Sequence, residues 1–182
     1  MKIGQRWVDA IERSDSIAEW VPVVIEIAAG SRMKYALDKR SGQLELNRAM
    51  EDGVTYPTNY GFIPRTTCKA DGMELDLLTI SSEPLLPLTI ARVRLVGGCT
   101  LQSSDESHAE DKILGVLIAD PDLKGVSDIG EVDKKLKQRI EDFFKTYKND
   151  EGEEVKFSAW FDRVTALDKV KHGLKAAKKK RK

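Results

Sequence analysis

From Val21 to Ile118 the chain is a succession of short β-branched or alternating runs, each closed by turn residues. That rhythm leaves room for little besides a small barrel or a strongly curved sheet. Val21–Ile27 (VPVVIEI) is apolar and stops at Ala28-Ala29-Gly30. Met33–Asp38 and Gln43–Asn47 flank Lys39-Arg40-Ser41-Gly42, the pattern of a hairpin. Leu75–Ile80, Thr89–Val96 and Lys112–Ile118 predict three further strands.

The period changes in the last third. Val132, Leu136, Ile140, Phe143, Phe144 and Tyr147 fall three or four apart, so they share one face of a helix. Ser127 or Asp128 is the expected cap. Val164, Leu167, Val170 and Leu174 predict a second helix running into the C-terminus, and Trp7, Val8 and Ile11 a short one near the start. The expectation is one mainly β domain of the α+β class over residues 1–182, with residues 1–20 as an N-terminal extension and 175–182 as a basic tail. No run of about 20 apolar residues offers a membrane span. The start is broken by charges and does not read as a signal peptide.

The formal net charge is zero but unevenly spread. Residues 169–182 hold eight Lys or Arg and no acid, leaving 22 basic against 30 acidic residues before them, a net of −8. Such a tail reads either as a solvated, frayed end or as a contact for an anionic surface. The acidic body and the lack of interleaved aromatics favour the solvated end over nucleic acid. Cys68 and Cys99 have no metal or disulfide spacing, and a cytoplasmic location is expected.

Two residue clusters carry chemistry. Carboxylates gather at strand ends and loops, among them Glu26, Asp71, Glu74, Asp76, Asp105, Glu106, Glu110 and Asp111. Two histidines are too few for a zinc centre, so oxygen ligands point to a hard cation, Mg²⁺ with Mn²⁺ as second candidate. Cationic and phenolic groups form the other cluster: Lys34, Arg48, Tyr56, Tyr60, Lys112, Tyr147 and Lys148. Lys and Arg bind phosphate oxygens through charge-assisted bonds, and tyrosine hydroxyls donate without adding charge. Any one of these residues alone reads as a solvated lysine or a tyrosine at the core edge.

The order of motifs is more specific. VVIEI, MKYALD, RAM, YPTNYGFIP, an Asp-Gly turn ending in Asp76, an acidic loop before KILGV, DFFKTYK and VKFSAW follow one another from about Val23 to Trp160. This succession resembles the family I soluble inorganic pyrophosphatases of bacterial type. The resemblance implies a small five-stranded OB-like β-barrel with external helices, hydrolysis of pyrophosphate by metal-activated water, and a homo-oligomer, a hexamer by analogy. It implies Asp71, Asp76, Glu110, Asp105 and Glu26 at the metal site. It implies Lys34, Arg48, Tyr56, Tyr60, Tyr147 and Lys148 around the phosphates. Lys34, Arg48, Tyr60 and Lys112 carry over as catalytic.

Four departures accompany it. Where the family pattern is D-G-D-P-x-D, the chain reads Asp71-Gly72-Met73-Glu74-Leu75-Asp76, so Met73 replaces a carboxylate that methionine cannot imitate. Glu74 is expected to aim away from the site, because successive side chains of extended backbone alternate. Ala36 replaces the glutamate of K-Y-E. Glu110-Asp111-Lys112 leaves two candidates for one ligand, with Glu110 preferred because Lys112 then stays in register. The loop Gln102–Ala109 is longer than the family norm. Besides the hydrolase, these changes admit an impaired relative that binds phosphorylated ligands or a protein partner, and a hydrolase of another phosphoanhydride.

Overall fold

The computed structural model describes residues 11–12, 14–68, 71–104 and 109–180. Among these residues eight strands and two α-helices follow in the order β1 (Val21–Ile27), β2 (Met33–Asp38), β3 (Gln43–Ala49), β4 (Asn59–Ile63), β5 (Leu75–Ile80), β6 (Ile90–Ser103), β7 (Glu110–Leu117), α1 (Lys134–Thr146), β8 (Val155–Asp162) and α2 (Arg163–Lys180). The main sheet runs β1-β4-β5-β7-β6-β8, and an additional β1–β6 pairing closes its first five strands into a ring. This is the five-stranded barrel that the resemblance implied. β5 and β7 pair in parallel, and the other pairs within the ring are antiparallel.

β6 is the longest strand. Its first residues pair with β1 and its second half carries β8 on that same edge, opposite β7, with a register shift against β7 between Leu95 and Gly97 where the partner changes. The sequence reading stopped this strand at Val96. β4 was not foreseen as a strand. Gly61 sits at its centre because a Cβ there would stand 1.9 Å from the Val24 carbonyl oxygen, so only glycine lets β4 lie against β1. β8 was also missed, since charges dilute its alternation.

The strands are apolar on both faces. On β5, Leu75 and Leu77 join Val23, Val93, Ile113, Ala166 and Val170 in the cluster that α2 covers. Leu78 and Ile80 face the other way, toward Leu114, Val116, Ile140 and Phe144 in the cluster beneath α1. This two-sided burial explains why the run lacks polar alternation. The cap of α1 is Asp133, whose side chain accepts the Leu136 N–H at 2.9 Å, and not Ser127 or Asp128. Asp128 instead caps a short 3-10 turn at Ile129–Glu131.

α2 continues to Lys180 with Ala177 buried, so the expected frayed tail is helical over its described part. The short helix expected around Trp7 and Val8 lies outside the described residues. Among those described, no helix is long and apolar enough to cross a membrane. Cys68 and Cys99 are both free thiols.

Candidate active site

The mouth of the barrel, the β2–β3 hairpin and the end of α1 enclose a cavity of about 280 Å³. Glu26, Asp76 and Glu110 line it, together with Lys34, Lys112, Lys148, Tyr56, Tyr60 and Tyr147. Nine of the residues singled out from the sequence therefore meet around one space.

Each arrives for a local reason. Lys34 lies on β2 opposite Arg48 of β3, at a register shift in the hairpin. Asp76 on β5 pairs across to Phe62, and Lys112 on β7 lies beside that same strand. Alternation along β7 sends Glu110 and Lys112 to the cavity, while Asp111 turns away to accept Thr100 Oγ1 at 2.8 Å and Lys169 Nζ at 2.6 Å. Of the two candidate ligands, Glu110 is the one that faces the cavity. The tyrosines rest on α1: ring centroids are 4.8 Å apart for Tyr56–Phe143, 5.5 Å for Tyr56–Tyr60 and 5.3 Å for Phe144–Tyr147.

Asn59, which the sequence reading passed over, holds the tyrosine loop. Its buried amide donates to Thr79 O at 3.2 Å and to Ser81 Oγ at 2.8 Å. Its oxygen accepts the N–H groups of Ala29 at 3.1 Å and Leu85 at 2.8 Å. An Asn between two tyrosines, two residues before a glycine that packs on backbone, was the available signal.

Lys112 is the electrostatic centre. Its ammonium donates to Asp76 at 2.6 Å, to Tyr60 Oη at 3.1 Å and to Glu110. Burial alone would lower its pKa, but Asp76, Tyr60 and Glu110 outweigh that and hold it well above the ordinary lysine value. Lys34 has the opposite fate. Burial lowers it first, and Arg48, Lys148 and Lys112 add repulsion that Glu151 only partly offsets. Burial pushes the Tyr147 phenol up to about 12 and raises Tyr56 and Tyr60 further, so all three remain protonated donors at neutral pH. Glu26 accepts the Leu37 N–H at 2.8 Å, and burial pushes its carboxyl up to about 7.

The remaining expected residues are placed differently. Arg48 reaches the turn after α1, with Nη2 donating to the Tyr147 carbonyl at 2.7 Å, Nε 2.7 Å from Glu151 and Nη1 paired with Asp150. Lys148 pairs with Glu153 at 2.6 Å. Asp71 is exposed outside the cavity, and its side chain accepts the Met73 N–H at 2.8 Å. Asp105 lies outside the described residues. Glu74 does not line the cavity and pairs with Lys39. Met73 and Ala36 both line the cavity.

The three carboxylates that face the space, Glu26, Asp76 and Glu110, are oxygen ligands that suit a hard divalent cation. Among the described residues no three carboxylates converge on one point. Asp76 and Glu110 converge on the Lys112 ammonium instead, so a cation entering there competes with that lysine.

Carboxylates opposed to a ring of ammonium and phenol groups, at the mouth of a small barrel, define a metal-assisted phosphate-handling protein. A sequence profile of the inorganic pyrophosphatases matches residues 23–178, and the chain belongs to that family. It is similar to the inorganic pyrophosphatase of Thermus thermophilus, 41% identical over 160 residues that cover 86% of this chain and 90% of that one. A soluble inorganic pyrophosphatase of Zea mays is 36% identical, over 84% of this chain and 70% of the relative. Among solved structures, the T. thermophilus enzyme superposes with a TM-score of 0.86 at 37% identity, covering 92% and 97% of the two chains. The Helicobacter pylori enzyme gives 0.86 at 32% identity, covering 92% and 98%.

Proposed function

We propose that the chain hydrolyses inorganic pyrophosphate to two phosphates, with the reaction confined to the cavity between β5, β7, the hairpin and α1. The activity follows from family membership, and the meeting of three carboxylates with six cationic or phenolic side chains around one cavity carries the assignment of roles. Lys34, Lys112 and Lys148 supply positive charge for phosphate oxygens, and Tyr56, Tyr60 and Tyr147 donate hydrogen bonds while staying neutral. Arg48 reaches the same anions from the hairpin when its carboxylate partners yield.

Glu26, Asp76 and Glu110 are the residues we assign to a divalent cation, Mg²⁺ first and Mn²⁺ second, with Asp71 and Asp105 as outer candidates. Such a cation, when bound, activates water and neutralises charge on the substrate. Lys112 then holds Asp76 and Glu110 in place and stabilises charge on the departing phosphate. We assign the chain to a reducing, cytoplasmic compartment, with which its two free thiols accord. A homo-oligomer, a hexamer by family analogy, is the proposed assembly. Exposed Leu86, Leu88 and Ile90 are apolar surface that a subunit contact would cover.

The test is phosphate release from pyrophosphate with Mg²⁺ and then Mn²⁺, with Asp76→Ala as control. Release no faster than the control in either metal sinks the hydrolase. One observation favours a second reading. Met73, 60% exposed, and Ala36 present apolar surface to a cavity that keeps its cations, as expected of a relative that binds phosphorylated ligands without turning them over. Calorimetric binding of pyrophosphate without release would select that reading.

A further inference from the structure

A second cavity, of about 570 Å³, shares no lining residue with the first. Its walls include Thr67 and Cys68, with His172 and the ammonium-bearing Lys175, Lys178 and Lys179 of α2 facing them, and among the described residues no carboxylate lines it. We propose that it is an anion site for a small ligand bearing multivalent phosphate.

The charges explain the choice of ligand. Along α2, Lys169 is neutralised by Asp111 at 2.6 Å, and Lys171 lies 3.4 Å from Asp168. Lys175, Lys178 and Lys179 have no carboxylate within ion-pair distance among the described residues. Lys178 and Lys179 stand three and four residues after Lys175, so each neighbours it on the helix surface and is repelled by it. The negative end of the helix dipole offsets part of that repulsion. It accounts for lysines anywhere on the last turns, however, and not for their meeting over a cavity. A multivalent anion satisfies all three through charge-assisted bonds, and the volume falls within the range of about 300–1,000 Å³ usual for small-ligand sites. The rest of the chain, at a net of −8, disfavours a long polyanion that must lie across it.

The cavity is also wired to the turn that leads into β5. The Thr67 N–H donates to the Gly173 carbonyl at 3.0 Å, inside α2. A Cβ at Gly173 would stand 2.7 Å from Leu75 Cδ1 and 3.2 Å from Thr66 Cβ, so glycine allows the helix to seat on this turn. Thr66 Oγ1 in turn accepts the Leu75 N–H at 2.9 Å, one residue before Asp76. The proposal stands on this geometry and does not depend on pyrophosphate hydrolysis.

Two side chains report on the site alone. His172 is one of two histidines in the chain, and His108→Ala identifies its ring resonances. Cys68 is partly exposed while Cys99 is buried, so thiol alkylation reads Cys68. The full chain, in chelator and at constant ionic strength set with chloride, is titrated with inorganic phosphate. The expected result is a saturating shift of His172 and slower alkylation of Cys68. The combined Lys175→Gln, Lys178→Gln and Lys179→Gln variant raises the apparent Kd at least about tenfold, a loss expected when three charge-assisted contacts go. Phosphate release from pyrophosphate by that variant stays at the parent's rate.

His172 resonances that do not move with phosphate, or that move equally in the triple variant, overturn the proposal. Saturation by a single-stranded oligonucleotide but not by phosphate overturns it in favour of a nucleic-acid surface. A parent chain without hydrolysis leaves these readouts intact, so the two assignments fail separately.

Discussion

The Lys112 ammonium lies 2.6 Å from an Asp76 carboxylate oxygen while the Lys112 side chain is only 4% exposed. Glu110 completes the pair from the other side. Lys112→Gln leaves two carboxylates facing each other without a counter-ion. Removing one partner of a buried ion pair costs about 3–5 kcal/mol, and the partial exposure of Asp76 and Glu110 moves the expectation to about 2–3. Denaturant unfolding in chelator is the measurement. Added Mg²⁺ is expected to stabilise the variant more than the parent, because the cation replaces the missing charge. Equal midpoints for parent and variant without metal refute the role given to Lys112.

Glu26 gives the site a pH-dependent stability in chelator. Its carboxyl ionises near the ordinary value of 4.5 in the unfolded chain but at about 7 in the folded one. Below about pH 4.5 both states are protonated and the group contributes nothing. Between 4.5 and 7 the unfolded chain releases its proton and the folded chain keeps it, so stability falls as pH rises, by at most about 3 kcal/mol. Glu26→Gln keeps an acceptor for the Leu37 N–H and removes the titration. Urea midpoints at pH 5 and pH 8 are therefore expected to converge relative to the parent; an unchanged difference assigns the pH dependence elsewhere.

How legible the site was depended on the distance over which each residue is fixed. Val21–Ile27 and Leu75–Ile80 were readable to the residue because β-branched, apolar runs with turn residues at their ends carry their own limits. The strand within NYGFI was not, since Gly61 is a poor strand former that this fold needs only because Val24 lies behind it. That Glu110 and Lys112 share the cavity side follows from alternation along β7. Asp71 illustrates the opposite case. The motif placed it with Asp76, but its carboxylate closes on its own turn at Met73. Arg48 was singled out as a cation, but its ion pairs could not be read, because its partners lie about a hundred residues away, on the turn after α1.

That turn makes a prediction of its own. Asp150 and Glu151 occupy the Arg48 guanidinium, which sits beside the cavity holding Lys34 and Tyr147. The pairs are partly exposed, and such pairs contribute about 0.2–1 kcal/mol. Asp150→Asn with Glu151→Gln frees Arg48 for phosphate oxygens. KM for pyrophosphate is expected to fall by about two- to fivefold, the equivalent of that energy, with little change in kcat. A higher KM would show that the two acids instead hold Arg48 in its working position.

Met73→Asp tests whether the cavity lacks only a base. Met73 is 60% exposed at the cavity wall, and its backbone is already fixed by Asp71, so the turn accepts a shorter polar side chain without repacking. The new carboxylate joins Glu26, Asp76 and Glu110 in facing the space. In chelator the added negative charge is expected to change stability by less than about 0.5 kcal/mol, as for most surface positions. At saturating Mg²⁺ it supplies a proton acceptor beside the attacking water, a contribution that reaches about 10²–10⁴-fold for a well-placed group. The surface position and the missing glutamate at Ala36 place the expected gain in kcat at the low end of that range, with a steeper dependence on Mg²⁺. Steady-state kinetics of parent and variant across a Mg²⁺ series decide it. A kcat that does not rise at saturating metal shows that proton transfer at Met73 does not limit the rate, and moves attention to Ala36, the other apolar side chain where the family pattern has a carboxylate.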